Sequence, residues 1–494
     1  MKIVQELKAG SLTGTATVAA LLTVVLASCT VGPKYKTPPV VTPPEYKESG
    51  PWRTAQPSDQ IAKGKWWEIY RDPQLNSLEE QISISNQTLK AAQAQYAQAR
   101  ALVRYYRSNF FPTVTTNPSF SRNRLSNHRP LGATLAGTTY NDFILPMDVS
   151  YEADLWGRVR RTVEQSRENA QMSAADLENI SLSLHAELAT DYFLMRELDA
   201  EQQLLNSTVI AYQKALELTQ NRYQGGVASA VDVAQAQAQL ESTRALAIDD
   251  QLARAQYEHA IAVLIGKAPV SFSLAASPLS TPPPMIPPGL PSDLLERRPD
   301  IAAFERQVAA ANAGIGIAKA AYYPILNLSA NGGFESAAGG VLLNGSSAFW
   351  AVGASALETV FDAGRRRALN QQAMSVYDQT VANYRQTVLS AFQEVEDNLA
   401  AQRILDQEAQ TQQAAVQAAE QSLTLSNNRY RGGVTTYLEV ITAQSTALAD
   451  ERTEVQILGR RMATSVQLIK ALGGGWDVKD LPTMQAVGAT GAGH

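Results

Sequence analysis

Two hydrophobic periods run along this chain. The longer is helical: Leu177, Ile180, Leu184 and Leu188 step by three, four and four, and Met195 and Leu198 keep the phase. That spacing lays one apolar stripe along a helix. The surrounding stretch, 158–224, holds no glycine or proline over 67 residues, and 365–431 repeats both the length and the lack. Both stretches are rich in Glu, Gln, Ala and Leu, which favour helix. At ~1.5 Å per residue each helix would be ~100 Å long, so the expected molecule is elongated. The shorter period is two. Phe143, Leu145, Met147, Val149 and Tyr151 alternate with Ile144, Pro146, Asp148, Ser150 and Glu152, predicting a strand at about 141–152 with one largely apolar and one largely polar face. Weaker alternation predicts strands at about 113–123, 325–335 and 347–358, each long enough to cross a bilayer when tilted. The loops between them fall at about 124–140 and 336–346.

The chain is duplicated. NRYQGGV begins at Asn221 and NRYRGGV at Asn428, an offset of 207 that Gly157 and Gly364, and Gly266 and Gly473, also keep. FFP at 110–112 answers YYP at 322–324 with an offset of 212, so the first half carries extra residues in a loop between 112 and 157. The halves, 61–277 and 292–476, are joined by a proline-rich linker, 278–291. In each, a glycine pair (Gly225-Gly226, Gly432-Gly433) is expected to stop the long helix in the left-handed conformation of a C-terminal cap. A hairpin then leads into an antiparallel second helix, 227–265 or 434–472. A third helix, about 86–109 or 300–323, is expected to stack on its end, with alanine-rich seams allowing close approach. Trp156-Gly157-Arg158 and Ala363-Gly364-Arg365 mark the passage from strand to helix, where glycine permits a sharp bend. Four strands cannot close a barrel, and an open sheet edge in lipid leaves backbone groups unpaired. Strands that span a membrane therefore require an oligomer. Spacing alone leaves open a water-soluble sheet capping a coiled coil.

Composition narrows the function. The net charge is −5, and the basic stripe of a nucleic-acid binder is absent. No internal run reaches ~18 apolar residues. One cysteine and four histidines (His128, His185, His259 and His494) offer little to metal or thiol chemistry. The histidines are scattered and read as surface residues. With no nucleophile elbow or phosphate loop, an enzyme is not expected. Lys2, Lys8, the apolar Val18–Leu26 and the small Ala27-Ser28 read as a signal peptide, 1–28. LASC resembles the lipobox of bacterial lipoproteins. That implies cleavage before Cys29, a diacylglycerol on its thiol and an acyl chain on its amine; two or more chains anchor stably. No other cofactor is expected. Thr30 stands where aspartate signals inner-membrane retention, pointing to the outer membrane. Residues 29–60 are expected to be extended, and 477–494 a flexible tail.

The duplication, the two 67-residue helices, NRYxGGV at each hairpin and the lipobox together resemble the TolC-like outer membrane factors. The likeness covers about 29–476 and is nearest to the lipoprotein branch typified by OprM and NodT. YLEVITAQ (437–444) and ALGGGW (471–476) are similar to phrases of that branch, and DLWGR (154–158) and FDAGR (361–365) to its junction phrase. The resemblance implies a mostly α fold with a small transmembrane β part: a homotrimer whose four strands per chain close one twelve-stranded barrel in the outer membrane, above a periplasmic tunnel of helices. It implies an exit duct for drugs or other small toxic compounds, fed by a periplasmic adaptor and an inner-membrane pump of the resistance–nodulation–division type. Phe143, Leu145, Met147, Val149 and Tyr151 would face lipid, and Asp148, Ser150 and Glu152 the lumen. Arg222, Tyr223, Gly225, Gly226, Asp232, Gly432 and Gly433 would form the adaptor-docking hairpins. Arg429, Tyr430, Leu438, Glu439 and Thr442 match the periplasmic gate. Thr442 departs from the family's aspartate, so the gate would rest on Leu438 and on contacts of Tyr430 and Arg429. Other readings are a protein-secretion or metal-efflux channel of the same fold, and a coiled-coil envelope lipoprotein.

Overall fold

The computed structural model describes residues 30–48, 64–128, 137–287, 289 and 291–489. Its longer helices are α1 (Pro73–Ser85), α2 (Gln87–Ser108), α3 (Arg158–Gln224), α4 (Ala230–Leu264), α5 (Pro299–Ala320), α6 (Arg365–Arg431) and α7 (Tyr437–Ala471). Its strands are β1 (Thr113–Thr115), β2 (Ser119–Arg124), β3 (Thr139–Ala153), β4 (Ile325–Ser336) and β5 (Ala348–Leu357). Among the described residues no helix is long and apolar enough to cross a membrane.

The helices form one layer of four columns. The long α3 packs against α2 and α4 on one side and against α5 and α7 on the other, and α6 packs against α5 and α7. Short helices thus share a column in pairs, flanking the long ones. The sheet repeats this order. β1 and β2 both pair with β3, β3 with β4, and β4 with β5, all antiparallel. β1 follows α2, β3 leads into α3, β4 follows α5, and β5 leads into α6. Each column of helix therefore continues into its own strand. The halves are stitched at the passage between the layers: Trp156 stacks on Tyr323 at 4.7 Å and donates its ring N–H to the Pro324 carbonyl at 2.9 Å.

The first expected strand is broken in two. Residues 116–118 lie opposite Leu145–Met147 in neither register. Pro118 and Pro146 have no N–H to give a ladder there, and the Thr116 hydroxyl donates to the Pro146 carbonyl at 2.7 Å instead.

The main core lies at mid-height, where α1 seals the ends of α4 and α7 against α3 and α6. Leu75, Ile82, Leu188, Met195, Ile261, Ile265, Val395, Val466 and Ile469 are fully or almost fully buried there. Two sequence expectations change here. His185 is buried, stacked on Trp67 at 4.5 Å with its Nδ1 2.6 Å from Glu79; a surface histidine it is not. Burial pushes Glu79 up and His185 down, to about 4, so both favour the neutral form. The tail expected to be flexible from 477 packs as far as it is described. Val487 is fully buried against Val103 and Ala170, and Arg107 and Arg100 donate to the carbonyls of Gly488 and Ala489. Residues 490–494 lie outside the described residues.

The N-terminal segment is a strap. Val31 N–H donates to the Trp156 carbonyl at 3.1 Å. Arg161 and Asn312 donate to the Pro33 carbonyl, Tyr35 bonds Glu305, and the N–H groups of Lys47 and Glu48 donate to Glu396 at 2.7 and 2.9 Å. From Arg365 to Glu396 the helix rises ~45 Å, so the strap runs nearly extended along α5 and α6.

Candidate functional site

The two hairpins close in the same way. Gly226 N–H bonds the Tyr223 carbonyl at 3.0 Å and Val227 N–H bonds Arg222 at 2.8 Å; in the second copy Gly433 bonds Tyr430 at 3.0 Å and Val434 bonds Arg429 at 2.9 Å. These paired bonds form the Schellman cap. Only the second glycine of each pair is left-handed, at φ 73° for Gly226 and 72° for Gly433. Gly225 and Gly432 have φ of −78° and −75°, which any residue adopts. The left-handed cap residue expected of each glycine pair is therefore its second member.

The second turn of helix differs between copies. Ser229 and Asp232 make a reciprocal capping box at the start of α4, so Asp232 is engaged with its own helix end. At α7 the Thr436 side chain makes no cap. Glu439 instead reaches Thr435 and pairs with Arg429 Nη1 at 3.0 Å. That ion pair ties the end of α6 to the start of α7.

The residues assigned to a gate divide into two sets. Tyr430 is only 6% exposed. Its ring lies 5.2 Å from that of Tyr437 and under the Arg222 guanidinium at 4.7 Å, so it fastens the second hairpin to the first. Leu438 is 57% exposed, and the exposed Thr442 follows one turn on, its hydroxyl donating to the Leu438 carbonyl at 2.9 Å. Leu438 and Thr442 thus present an uncharged outer stripe beside the Arg429–Glu439 pair. Tyr223 is half exposed at the turn. Sequence reasoning missed the Arg222–Tyr430 contact and the part of Tyr437. The signal was the aromatic at 437 with no counterpart in the first copy, where Ala230 occupies the matching position.

At the other end, register sorts the sheet by face, because directly paired residues point the same way. Val149 pairs with Val114 and Ala330, and Ala330 with Val352; Met147 pairs with Gly332, and Gly332 with Trp350. Tyr151 pairs with Leu328, Leu145 with Phe334, and Phe143 with Phe120. One apolar face therefore runs across every strand. On the opposite face Asp148 pairs with Thr115 and Asn331, Ser150 with Thr113 and Ser329, and Glu152 with Asn327. Glu152 also accepts from Arg158 Nε at 2.8 Å at the foot of α3. Cys29 lies outside the described residues, but its neighbour Thr30 seats on Gly157: a Cβ there would lie 2.7 Å from Thr30 Cγ2. Among the described residues no group of three His, Cys, Asp or Glu side chains is placed to hold a metal ion.

The model of the "Outer membrane efflux protein" family matches residues 78–267 and 290–474. The toluene efflux pump outer membrane protein TtgC of Pseudomonas putida is 32% identical over 92% of this chain and 94% of its own length. The pyoverdine export outer membrane protein OpmQ of Pseudomonas aeruginosa is 32% identical over 86% of this chain and 90% of its own. Among solved structures, the outer-membrane channel OprN superposes with a TM-score of 0.85 at 30% identity, covering 91% of this chain and all of that one. The CmeC channel of Campylobacter jejuni superposes with a TM-score of 0.86 at 25% identity, covering 92% of this chain and 96% of that one.

Proposed function

Because the chain belongs to the outer membrane efflux protein family, we propose that three copies close one duct through the outer membrane and the periplasm. The protein is an outer-membrane efflux channel, not an enzyme. One observation carries the trimer: sheet and helical layer are open at the same two sides. β5 and α6 end one side, and β1, β2, α2 and α4 end the other. The outer columns bear unpaired apolar side chains, Leu369, Leu389, Ile404 and Leu425 on α6 and Ile248, Leu252 and Val263 on α4. Joining one side to the other in a closed ring satisfies both edges at once. Four strand positions per chain then make a twelve-stranded barrel.

In that barrel Phe143, Leu145, Met147, Val149 and Tyr151 face lipid, and Asp148, Ser150 and Glu152 line the water-filled lumen. Trp156 and Tyr323 sit at the foot of the strands, the depth at which such rings mark a membrane surface. Thr30, seated on Gly157 at that end, directly follows Cys29, which carries the diacylglycerol and N-acyl chains. At the far end six hairpins, with Arg222, Tyr223, Gly225, Gly226, Asp232, Gly432 and Gly433, dock the periplasmic adaptor. Leu438, with Thr442, narrows the tunnel by threefold symmetry, and Arg429–Glu439 holds that constriction in place. The adaptor joins the duct to an inner-membrane pump of the resistance–nodulation–division type. The cargo is small molecules chosen upstream, since relatives of equal identity are named for toluene and for pyoverdine.

Native mass spectrometry of the protein from outer membranes tests this directly. Three chains carrying covalent acyl mass are expected. A monomer under mild conditions refutes the shared barrel.

A further inference from the structure

Where α3, α4 and α7 meet, three carboxyl groups lie near one guanidinium, and one of them pairs with it. Glu197 and Glu201 stand one turn apart on α3, Asp250 approaches from α4, and Arg452 enters from α7. Arg452 pairs with Glu201, and Gln456 Nε2 donates to the other Glu201 oxygen at 3.3 Å. All three acids are buried, Glu201 to 2% exposure and Glu197 and Asp250 to 8% each. Asp250 Oδ2 has no hydrogen-bond partner. The packing is tight: a Cβ on Gly459 of α7 would lie 2.5 Å from Glu197 Cγ. The next cations on these helices are already engaged. Arg196 and Arg254 both bond Asp199, at 2.8 and 2.6 Å. Asp249 and Tyr257 of α4 also bear on the cluster and bring no positive charge.

We propose that this junction is a proton-operated latch on the periplasmic tunnel, holding α4 and α7 closed on α3 while Glu197 and Asp250 keep their protons. The latch rests on the channel reading above. With both protons in place the Arg452–Glu201 pair is balanced. Without them three carboxylates face one guanidinium in a dry site, and uncompensated buried charge is strongly unfavourable. Moving the hairpins apart hydrates the groups and relieves it.

The direction with pH follows. Burial first, then the charges of Glu201 and Asp250 and the hydrogen bond with Glu201, push Glu197 up to about 8. Burial, with the Glu201 charge, pushes Asp250 up to about 6. A carboxyl whose value is raised in the closed arrangement stabilises it fully below the ordinary carboxylate range. That stabilisation is lost as pH rises to the raised value. Opening therefore releases protons and is favoured by rising pH, with the Glu197 window ending near 8.

The test is conductance of the purified, acylated trimer in planar bilayers across this range. Open probability should rise by up to about tenfold per pH unit where one proton is released, levelling near pH 8. Glu197→Gln keeps a donor to Glu201 and cannot ionise, so its open probability should lose the slope between about 6 and about 8. Infrared difference spectra identify the group: a protonated-carboxyl band that vanishes with a midpoint near 8 in the wild type should be missing in Glu197→Gln, which sets it apart from the raised carboxyls of Glu168 and Glu79. Opening independent of pH, a wild-type slope in Glu197→Gln, or no such band overturns the latch and leaves the channel standing. No conductance at any pH overturns both.

Discussion

At the hairpin rim, neighbouring residues do different work. Tyr430 is buried between the two hairpins under Arg222, whereas Leu438, eight positions on, is exposed. Removing the Tyr430 ring should loosen the rim; removing the Leu438 side chain should widen the passage. The Arg429–Glu439 pair is partly exposed, at 55% and 37%, and exposed pairs are worth ~1 kcal/mol at most. Arg429→Ala should therefore change the open fraction by no more than about fivefold. Leu438→Ala should raise single-channel conductance itself, because in the proposed trimer it removes bulk three times around one axis. Equal conductance in Leu438→Ala and wild type would place the constriction elsewhere. Sequence alone did not separate these roles. The helices here are alanine-rich with a weak apolar stripe, so no phase tells which aromatic turns inward. Nor does a local pattern show that Arg222 lies over a ring 208 positions away (222 to 430).

At the scale of elements, the strands carry a test of their own. Val149 and Ser150 are adjacent in β3 and lie on opposite faces of the sheet. Val149→Lys should abolish heat-modifiable trimers in outer-membrane fractions, at ~2–4 kcal/mol per chain for a lysine in the lipid midplane. Ser150→Lys should leave them intact. Equal losses would mean that the faces are reversed or that the sheet lies outside the bilayer. The helical character of the chain was legible because its signal is local: long runs without glycine or proline, rich in helix formers. The break in the first strand was less so, since it depends on what β3 offers across the gap at Pro146. The strap from Thr30 to Glu48 was illegible beyond being extended. Proline-rich chain has no period, and its partners Glu305, Glu396 and Arg403 lie hundreds of residues away.

The whole molecule is an open slice whose edges match top and bottom, and lipidation bears on it differently from closure. Cys29→Ala should abolish incorporation of labelled palmitate. The proposed trimer should persist, because the sheet and helix edges proposed to close it, β5 and α6 against β1, β2, α2 and α4, lie outside residues 29–48. Retained label would place the lipid on another residue. Loss of the trimer together with the label would make the anchor part of assembly rather than a fastening.

The strap is made long before its seat is. Its groove is built from α3 of the first repeat and α5 and α6 of the second. The N-terminal residues leave the ribosome first, yet the last of their partners, Arg403, is made 355 positions after Glu48. This early stretch of the chain is thus among the last to find its seat. Until Glu396 and Arg403 are in place residues 47 and 48 have no partners to bond, so this end of the strap stays open in an unfinished chain and is covered only in the finished one.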